Sequence, residues 1–211
     1  MKRIFTFIII VVISFIFFSC SYDKSTNPQV EDQIEIMPLK VGNSWTYNIN
    51  QFNQNIIKKS VITEKITISY ENENIEVYVL SWYTLVNDSL ITDSVFYYYK
   101  NEDDGLYRYY SNKKELIAKY PIEPNESWTI PGETEELGNG VIIIITLPRS
   151  FECVSKNEEI TTPIGTFECI KYVENSINLI SPSYFYYCPG IGLVSFTSSI
   201  TSKELIDYHL E

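Results

Sequence analysis

The chain has 211 residues, a formal net charge of −11 and a single histidine, and 45% of its residues are hydrophobic. Because so acidic a chain is repelled by phosphate, its charge argues against nucleic-acid binding, while its apolar content excludes a disordered chain. One histidine argues against most zinc sites and Ser-His-Asp triads, and the common short catalytic motifs are missing. We therefore predict that the protein is not an enzyme and has no catalytic residues, metal site or cofactor.

The N-terminus has the pattern of a bacterial lipoprotein signal. Two basic residues precede an apolar run from Ile4 to Phe18, which is too short to span a membrane. The run is followed by Ser19-Cys20, and a small residue before a cysteine is typical of lipoprotein cleavage sites. We expect cleavage before Cys20 and acylation with chains such as palmitate, which would anchor the protein to a membrane of the bacterial cell envelope. The outer membrane is favoured over the inner one; an ordinary cleaved signal and an uncleaved anchor helix remain alternatives.

The segment after the cleavage site predicts a flexible tether. Residues 20–36 are rich in Ser, Asp, Asn and Gln and contain few apolar side chains. An irregular arm that packs on the domain is the alternative. The predicted organisation is thus a signal peptide of residues 1–19, a tether of residues 20–36 and a single β domain of residues 37–211.

The body of the chain predicts β-strands. From Trp45 onward apolar residues alternate with polar ones, and Ile, Val, Thr and Tyr dominate between short turn-forming segments. This pattern favours a mainly β fold, an antiparallel meander that forms a curved sheet, half-barrel or barrel-like sandwich with little helix. The predicted strands are Ser44–Phe52, Ile56–Tyr70, Ile75–Val86, Leu90–Lys100, Gly105–Ser111, Glu115–Tyr120, Ser127–Ile130, Gly140–Val154, Glu159–Thr162, Thr166–Glu174, Tyr184–Cys188, Leu193–Thr201 and Glu204–His209.

One segment of the chain is repeated. Pro38–Tyr47 aligns with Pro121–Ile130, and the two share Pro, Ser, Trp and Thr at the same spacing. Each copy predicts a Pro-led loop that delivers a strand opening with a buried tryptophan. Two similar sub-sheets or an ancient duplication would explain the repeat, and a chance similarity is the alternative.

Three motifs together resemble an uncharacterised group of secreted and lipid-anchored bacterial β proteins. The motifs occupy residues 38–47 (PLKVGNSWTY), 162–169 (TPIGTFEC) and 186–194 (YYCPGIGLV). The resemblance covers residues 38–200 and implies an all-β fold without implying an activity. A weaker, architectural similarity is to the lipoprotein-carrier half-barrels, which wrap an apolar cavity. The motifs also have a local interpretation, since Pro189-Gly190 suits a type II turn.

The cysteines after Cys20 predict a disulfide bond. A hairpin centred between residues 178 and 179 pairs residues whose numbers add to 357, as those of Cys169 and Cys188 do. Their side chains would then face each other on one side of the sheet, in an oxidising compartment. A bond between Cys153 and Cys169 is the rival pairing, and free buried thiols are the third possibility.

Tyrosine is unusually frequent: the chain has 17, and nine of them are bunched in residues 97–99, 107–110 and 184–187. Neighbouring strand residues point to opposite faces, so each bunch places rings on both faces of a sheet. Rings that do not fill the core could line a ligand or partner surface, and cross-strand pairing on a water-exposed face is the alternative. The candidate surface residues are Tyr97, Tyr99, Tyr107, Tyr109 and Tyr186.

These features predict a non-enzymatic envelope lipoprotein that binds or carries a hydrophobic ligand. Its expected partners are the membrane, through the lipid anchor, and a hydrophobic ligand or an envelope protein. A structural or interaction subunit of an envelope complex is the first alternative. A glycan-binding or glycan-processing protein that uses paired carboxylates and tyrosines is the second.

Overall fold

The structure is a computed structural model that describes residues 34–87, 89–110, 113–137, 141–176 and 181–211. The predicted signal peptide, Cys20 and residues 20–33 of the predicted tether lie outside the described residues. Ile36, at the end of that tether, is buried in the core. Within the described ranges every regular secondary-structure element is a β-strand. These residues contain no helix that is long and apolar enough to cross a membrane.

The strands follow one another along the chain with short connections, as alternating apolar and β-branched residues dictate. They are β1 (Ser44–Gln51), β2 (Gln54–Tyr70), β3 (Glu73–Val86), β4 (Ser89–Glu102), β5 (Gly105–Tyr110), β6 (Lys113–Lys119), β7 (Ser127–Ile130), β8 (Glu133–Leu137), β9 (Val141–Thr146), β10 (Arg149–Thr162), β11 (Gly165–Ser176), β12 (Ser183–Cys188), β13 (Gly192–Thr197) and β14 (Thr201–His209).

Twelve of these strands form one antiparallel sheet, in the order β6-β5-β4-β3-β2-β1-β14-β13-β12-β11-β10-β7. Strands β8 and β9 pair separately as a hairpin. The two edges of the large sheet approach each other, because Trp128 Nε1 in β7 donates a hydrogen bond of 2.9 Å to the Leu116 carbonyl in β6. The sheet is therefore nearly closed into a barrel, and the predicted fold class, an antiparallel meander in a curved sheet, is confirmed.

Some predicted strand boundaries were wrong in the second half of the chain. The predicted strand Gly140–Val154 is divided between β9 and β10, because Pro148 cannot donate a ladder hydrogen bond. The predicted strand Glu159–Thr162 is the end of β10, which continues through two register shifts between Cys153 and Glu158. Such bulges disturb the alternation of side chains without ending the strand. The acidic strand β8 was not predicted.

The sheet consists of two halves of six neighbouring strands each. The first half consists of strands β1–β6. The second half consists of β7 and β10–β14, and the separate β8–β9 hairpin is inserted in the chain between β7 and β10. Each half begins with one copy of the repeated segment, and the backbone hydrogen bonds of the two copies match. These bonds are Gly42 N to Ile62 O, Ile62 N to Asn43 O, Asn125 N to Cys153 O and Cys153 N to Glu126 O, all between 2.8 and 2.9 Å.

The register gives the same result, since a shift follows Ile62 in β2 and Cys153 in β10. The repeat in the sequence is therefore also a repeat in the structure. The explanation by two similar sub-sheets or an ancient duplication stays a prediction.

The first and third sequence motifs contact each other in the core. Trp45 is fully buried, and its Nε1 donates a hydrogen bond of 2.6 Å to the Ile191 carbonyl. The Tyr47 hydroxyl donates one of 3.0 Å to the Leu193 carbonyl. Between these carbonyls Gly192 has a φ of +106°, and a Cβ there would lie 3.1 Å from the Met37 side chain. The motifs thus stabilise the fold, in line with their local interpretation as turns.

Candidate functional site

The concave face of the curved sheet lines an open cavity of about 530 Å³. Its walls come from β1–β6, β10 and β12–β14, so both halves of the sheet contribute. Alternation along the strands selects the lining residues: in β1, for example, Ile49 and Gln51 line the cavity. A volume of this size is typical of a site for one small molecule.

Most of the cavity wall is aromatic or aliphatic. Phe185 is the centre of a cluster, because its ring lies 6.1 Å from that of Phe151 and 4.8 Å from that of Phe196, between ring centroids. These three rings come from β10, β12 and β13. The other apolar lining residues include Ile49, Ile56, Trp82, Ile117 and Leu193. The wall therefore offers a continuous apolar surface between its polar groups.

Four cations and one carboxylate also line the cavity. They are Lys58, Arg108, Arg149, Lys203 and Asp93. Lys58 Nζ lies 2.7 Å from Asp93 Oδ2, and Thr84 donates to the other oxygen of that carboxylate. Hydrogen bonds from Lys58 and Thr84 lower the pKa of Asp93. Asp93 is therefore ionised at neutral pH.

The two arginines are paired with glutamates. Arg108 lies 2.5 Å from Glu115, and Arg149 lies 3.4 Å from Glu115 and 3.6 Å from Glu174. Burial raises the pKa of Glu115, but hydrogen bonds from Tyr110 and Arg108 outweigh it, so the net shift is downward. For Glu174 burial prevails over the attraction of Arg149, and its pKa is raised.

Lys203 differs from the other three cations. Among the described residues no carboxylate lies within 4.0 Å of its Nζ, which instead lies over the rings of Trp82 and Tyr47, 4.6 and 5.1 Å from their centroids. Burial and the charge of Lys58 lower the pKa of Lys203 to about 8. A lysine so placed still carries its charge at neutral pH.

The structure divides the five predicted tyrosines between two faces. Tyr97 and Tyr99 line the cavity, and burial raises the pKa of Tyr99 to about 12. Tyr107 and Tyr109 point away from it, since Arg108 between them lines it.

Tyr107 donates to Asp104 at 2.9 Å, and Tyr109 donates to Glu102. Tyr186 lies outside the cavity beneath Lys171, while its neighbour Tyr187, which was not singled out, lines it. The role of the five tyrosines as a binding surface stays a prediction.

Sequence reasoning missed the cations of the cavity. The net charge of −11 describes the chain as a whole and gives no information about the sign of the charged groups that line an interior surface. One signal was available in the repeat. Lys58 stands four residues before Ile62, and Arg149 stands four residues before the equivalent Cys153. Both copies thus place a cation at the same point of the wall.

Cys169 and Cys188 occupy the positions predicted for them from the centre of the hairpin. In the β11–β12 register Ile170 is opposite Tyr187, which makes Cys169 and Cys188 the next pair. Both are thiols in the structure, and a hydrogen bond between them raises the pKa of Cys169 and lowers that of Cys188. Cys153 is opposite Tyr172, not Cys169. The Cys169–Cys188 disulfide stays a prediction, and the register favours it over its rival.

In the part of the chain that the structure describes, no three His, Cys, Asp or Glu side chains are grouped so as to hold a metal ion. His209 lies exposed at the end of β14, 3.5 Å from the Glu211 carboxylate.

No family model and no curated protein matches the chain. Two solved structures are similar to it. One is a candidate exported protein with a YmcC-like fold from Bacteroides fragilis, with 13% identity, a TM-score of 0.43, and coverage of 82% of this chain and 98% of that chain. The other is a candidate lipoprotein from Parabacteroides distasonis, with 12% identity, a TM-score of 0.39, and coverage of 85% and 100%.

Proposed function

We propose that the protein is a bacterial envelope lipoprotein that binds or carries a hydrophobic ligand inside its curved sheet. The observation that supports this function is the cavity of about 530 Å³ with its aromatic and aliphatic wall. The proposed anchor is an acylated Cys20, supported by the N-terminal sequence.

An apolar wall that faces water in an open cavity is costly for a folded protein, because contact between apolar surface and water is unfavourable. The apolar ends of Ile49, Ile117 and Phe196 converge on this space, where larger side chains could have filled it. An apolar ligand would cover this wall and remove its own surface from water, which is the main driving force for such binding. The cavity is therefore better explained as a ligand site than as a packing defect.

A neutral fluorophore tests this function directly. N-phenyl-1-naphthylamine, which becomes fluorescent in apolar surroundings, is expected to bind the wild-type chain with saturable fluorescence. Ile56→Trp should fill the cavity and weaken binding by about tenfold or more. The matched control is Ile57→Trp, one residue along β2 and therefore on the opposite face, which should bind as the wild type does.

Two results would contradict the proposal. One is a wild-type protein that gives no saturable signal. The other is an equal loss of binding in the two variants, because the cavity would then not be the site.

A second candidate function is that of a contact subunit in an envelope complex. Large apolar side chains are exposed at three turns. Phe52 and Ile200 lie on the neighbouring β1–β2 and β13–β14 turns, and Leu90 and Ile91 lie at the β3–β4 hairpin. Exposed apolar patches often mark protein interfaces. Crosslinking in intact cells should then give one dominant partner, which Leu90→Ser together with Ile91→Ser would abolish; recovery of monomer alone would reject this function.

A further inference from the structure

The charges around the cavity do not balance. Lys58, Arg108, Arg149 and Lys203 face Asp93, Glu115 and Glu174, which leaves one positive charge in excess among the described residues. The carboxylates are engaged by the first three cations. The excess charge is therefore that of Lys203.

The surroundings of Lys203 provide no anion. Its cross-strand neighbours are Ile49 in β1 and Phe196 in β13, which line the same cavity. The ring faces of Trp82 and Tyr47 attract the ammonium group, but such an attraction is weaker than an ion pair. The positive charge of Lys58 repels that of the Lys203 ammonium group.

A half-buried cation without a counter-charge is costly, and proteins seldom keep one without a partner. Inside a cavity the partner can be part of the ligand. A negatively charged group near Lys203 Nζ would gain a charge-assisted hydrogen bond, because among the described residues no carboxylate competes for the ammonium group.

We propose that the ligand is a single-chain amphiphile with one negative charge, a carboxylate of the fatty-acid type, and that Lys203 pairs with its head group. This inference rests on the proposed function and deepens it. The aromatic and aliphatic wall accommodates the alkyl chain, and the excess of one positive charge suits a monoanion. A doubly charged head group would lack a second unengaged cation, because Lys58 is held by Asp93.

Three probes with the same alkyl chain separate the head group from the tail. Decanoate, decanol and decylamine are each titrated into the full chain loaded with N-phenyl-1-naphthylamine, and displacement of the fluorophore is measured. Decanoate is expected to bind about tenfold more tightly than decanol, and decylamine more weakly than either.

Substitution of the lysine assigns the preference to one residue. Lys203→Met should lower the affinity for decanoate by about tenfold and leave that for decanol within about twofold, which also shows that the variant is folded. Lys203→Arg, which keeps the charge, should retain the preference for decanoate. Lys59→Met is the matched control, since Lys59 neighbours Lys58 but does not line the cavity.

The outcomes distinguish this inference from the function on which it rests. Equal affinity for decanoate and decanol, or an unchanged preference in Lys203→Met, would overturn the head-group assignment and leave the carrier function standing. A tighter complex with decylamine would also overturn it. A wild-type chain that binds neither the fluorophore nor any of the three probes would overturn both.

Discussion

The two halves of the sheet begin with the same loop but place its tryptophan in different surroundings. Trp45 begins a strand that pairs on both sides, with β2 and β14, and the residue is completely buried. Trp128 lies in the short edge strand β7, and its side chain is half-buried. The local hydrogen bonds are the same in both copies, so burial depends on the neighbouring strands and not on the loop.

The halves also differ in how they neutralise their cations. Each half contributes two to the cavity, Lys58 and Arg108 from the first and Arg149 and Lys203 from the second. The first half supplies the carboxylates of Asp93 and Glu115, whereas the second supplies only that of Glu174 at this cavity. The asymmetry between otherwise similar halves is what leaves Lys203 available to a ligand.

The largest expected effect comes from removing the two tryptophans one at a time. Trp45→Ala should lower the free energy of unfolding by about 4 kcal/mol and Trp128→Ala by about 2 kcal/mol, because the first leaves a closed cavity while the second side chain is partly exposed. Urea unfolding followed by circular dichroism measures both. Equal losses would show that the edge position of β7 does not matter.

A covalent link would add a second difference between the halves. We expect non-reducing peptide mapping of the exported protein to recover Cys169 and Cys188 in one linked peptide, and reduction to cost about 3 kcal/mol of stability. Cys153→Ser is the control and should leave that peptide unchanged. Recovery of a Cys153–Cys169 peptide, or of no linked peptide, would contradict the prediction.

The smallest effect concerns the uncompensated charge. Lys203→Met should raise the free energy of unfolding at pH 7 by about 1–2 kcal/mol, since it removes a cation that burial disfavours. The unfolded chain holds the Lys203 proton up to the ordinary pKa of 10.5, but the native chain holds it only up to about 8.

Between these pH values the unfolded state binds more protons, so the stability that Lys203 costs is regained as the pH rises. The advantage of Lys203→Met should therefore shrink from pH 8 to pH 10.5. Urea unfolding at several pH values measures it. A variant less stable than the wild type at pH 7 would show that the ring faces of Trp82 and Tyr47 fully compensate the charge.

Part of the candidate site could be predicted from particular residues. Alternation placed Tyr97 and Tyr99 on one face of β4, and the position of the β11–β12 hairpin put Cys169 opposite Cys188. Tyr107 and Tyr109 were grouped with them because a strand pattern shows which residues share a face but not which face is concave. Lys203 was missed for the same reason.

By itself the sequence determined most of the strands, the antiparallel meander and the repeated loop that opens each half. These depend on contacts between residues close along the chain, and side-chain alternation, turn residues and backbone hydrogen bonds specify them. The tertiary structure alone decided the burial of each tryptophan, the volume of the cavity and the exclusion of Lys203 from an ion pair. These depend on the curvature that brings β6 to β7 and on which distant side chains meet across the interior, and no local pattern encodes either.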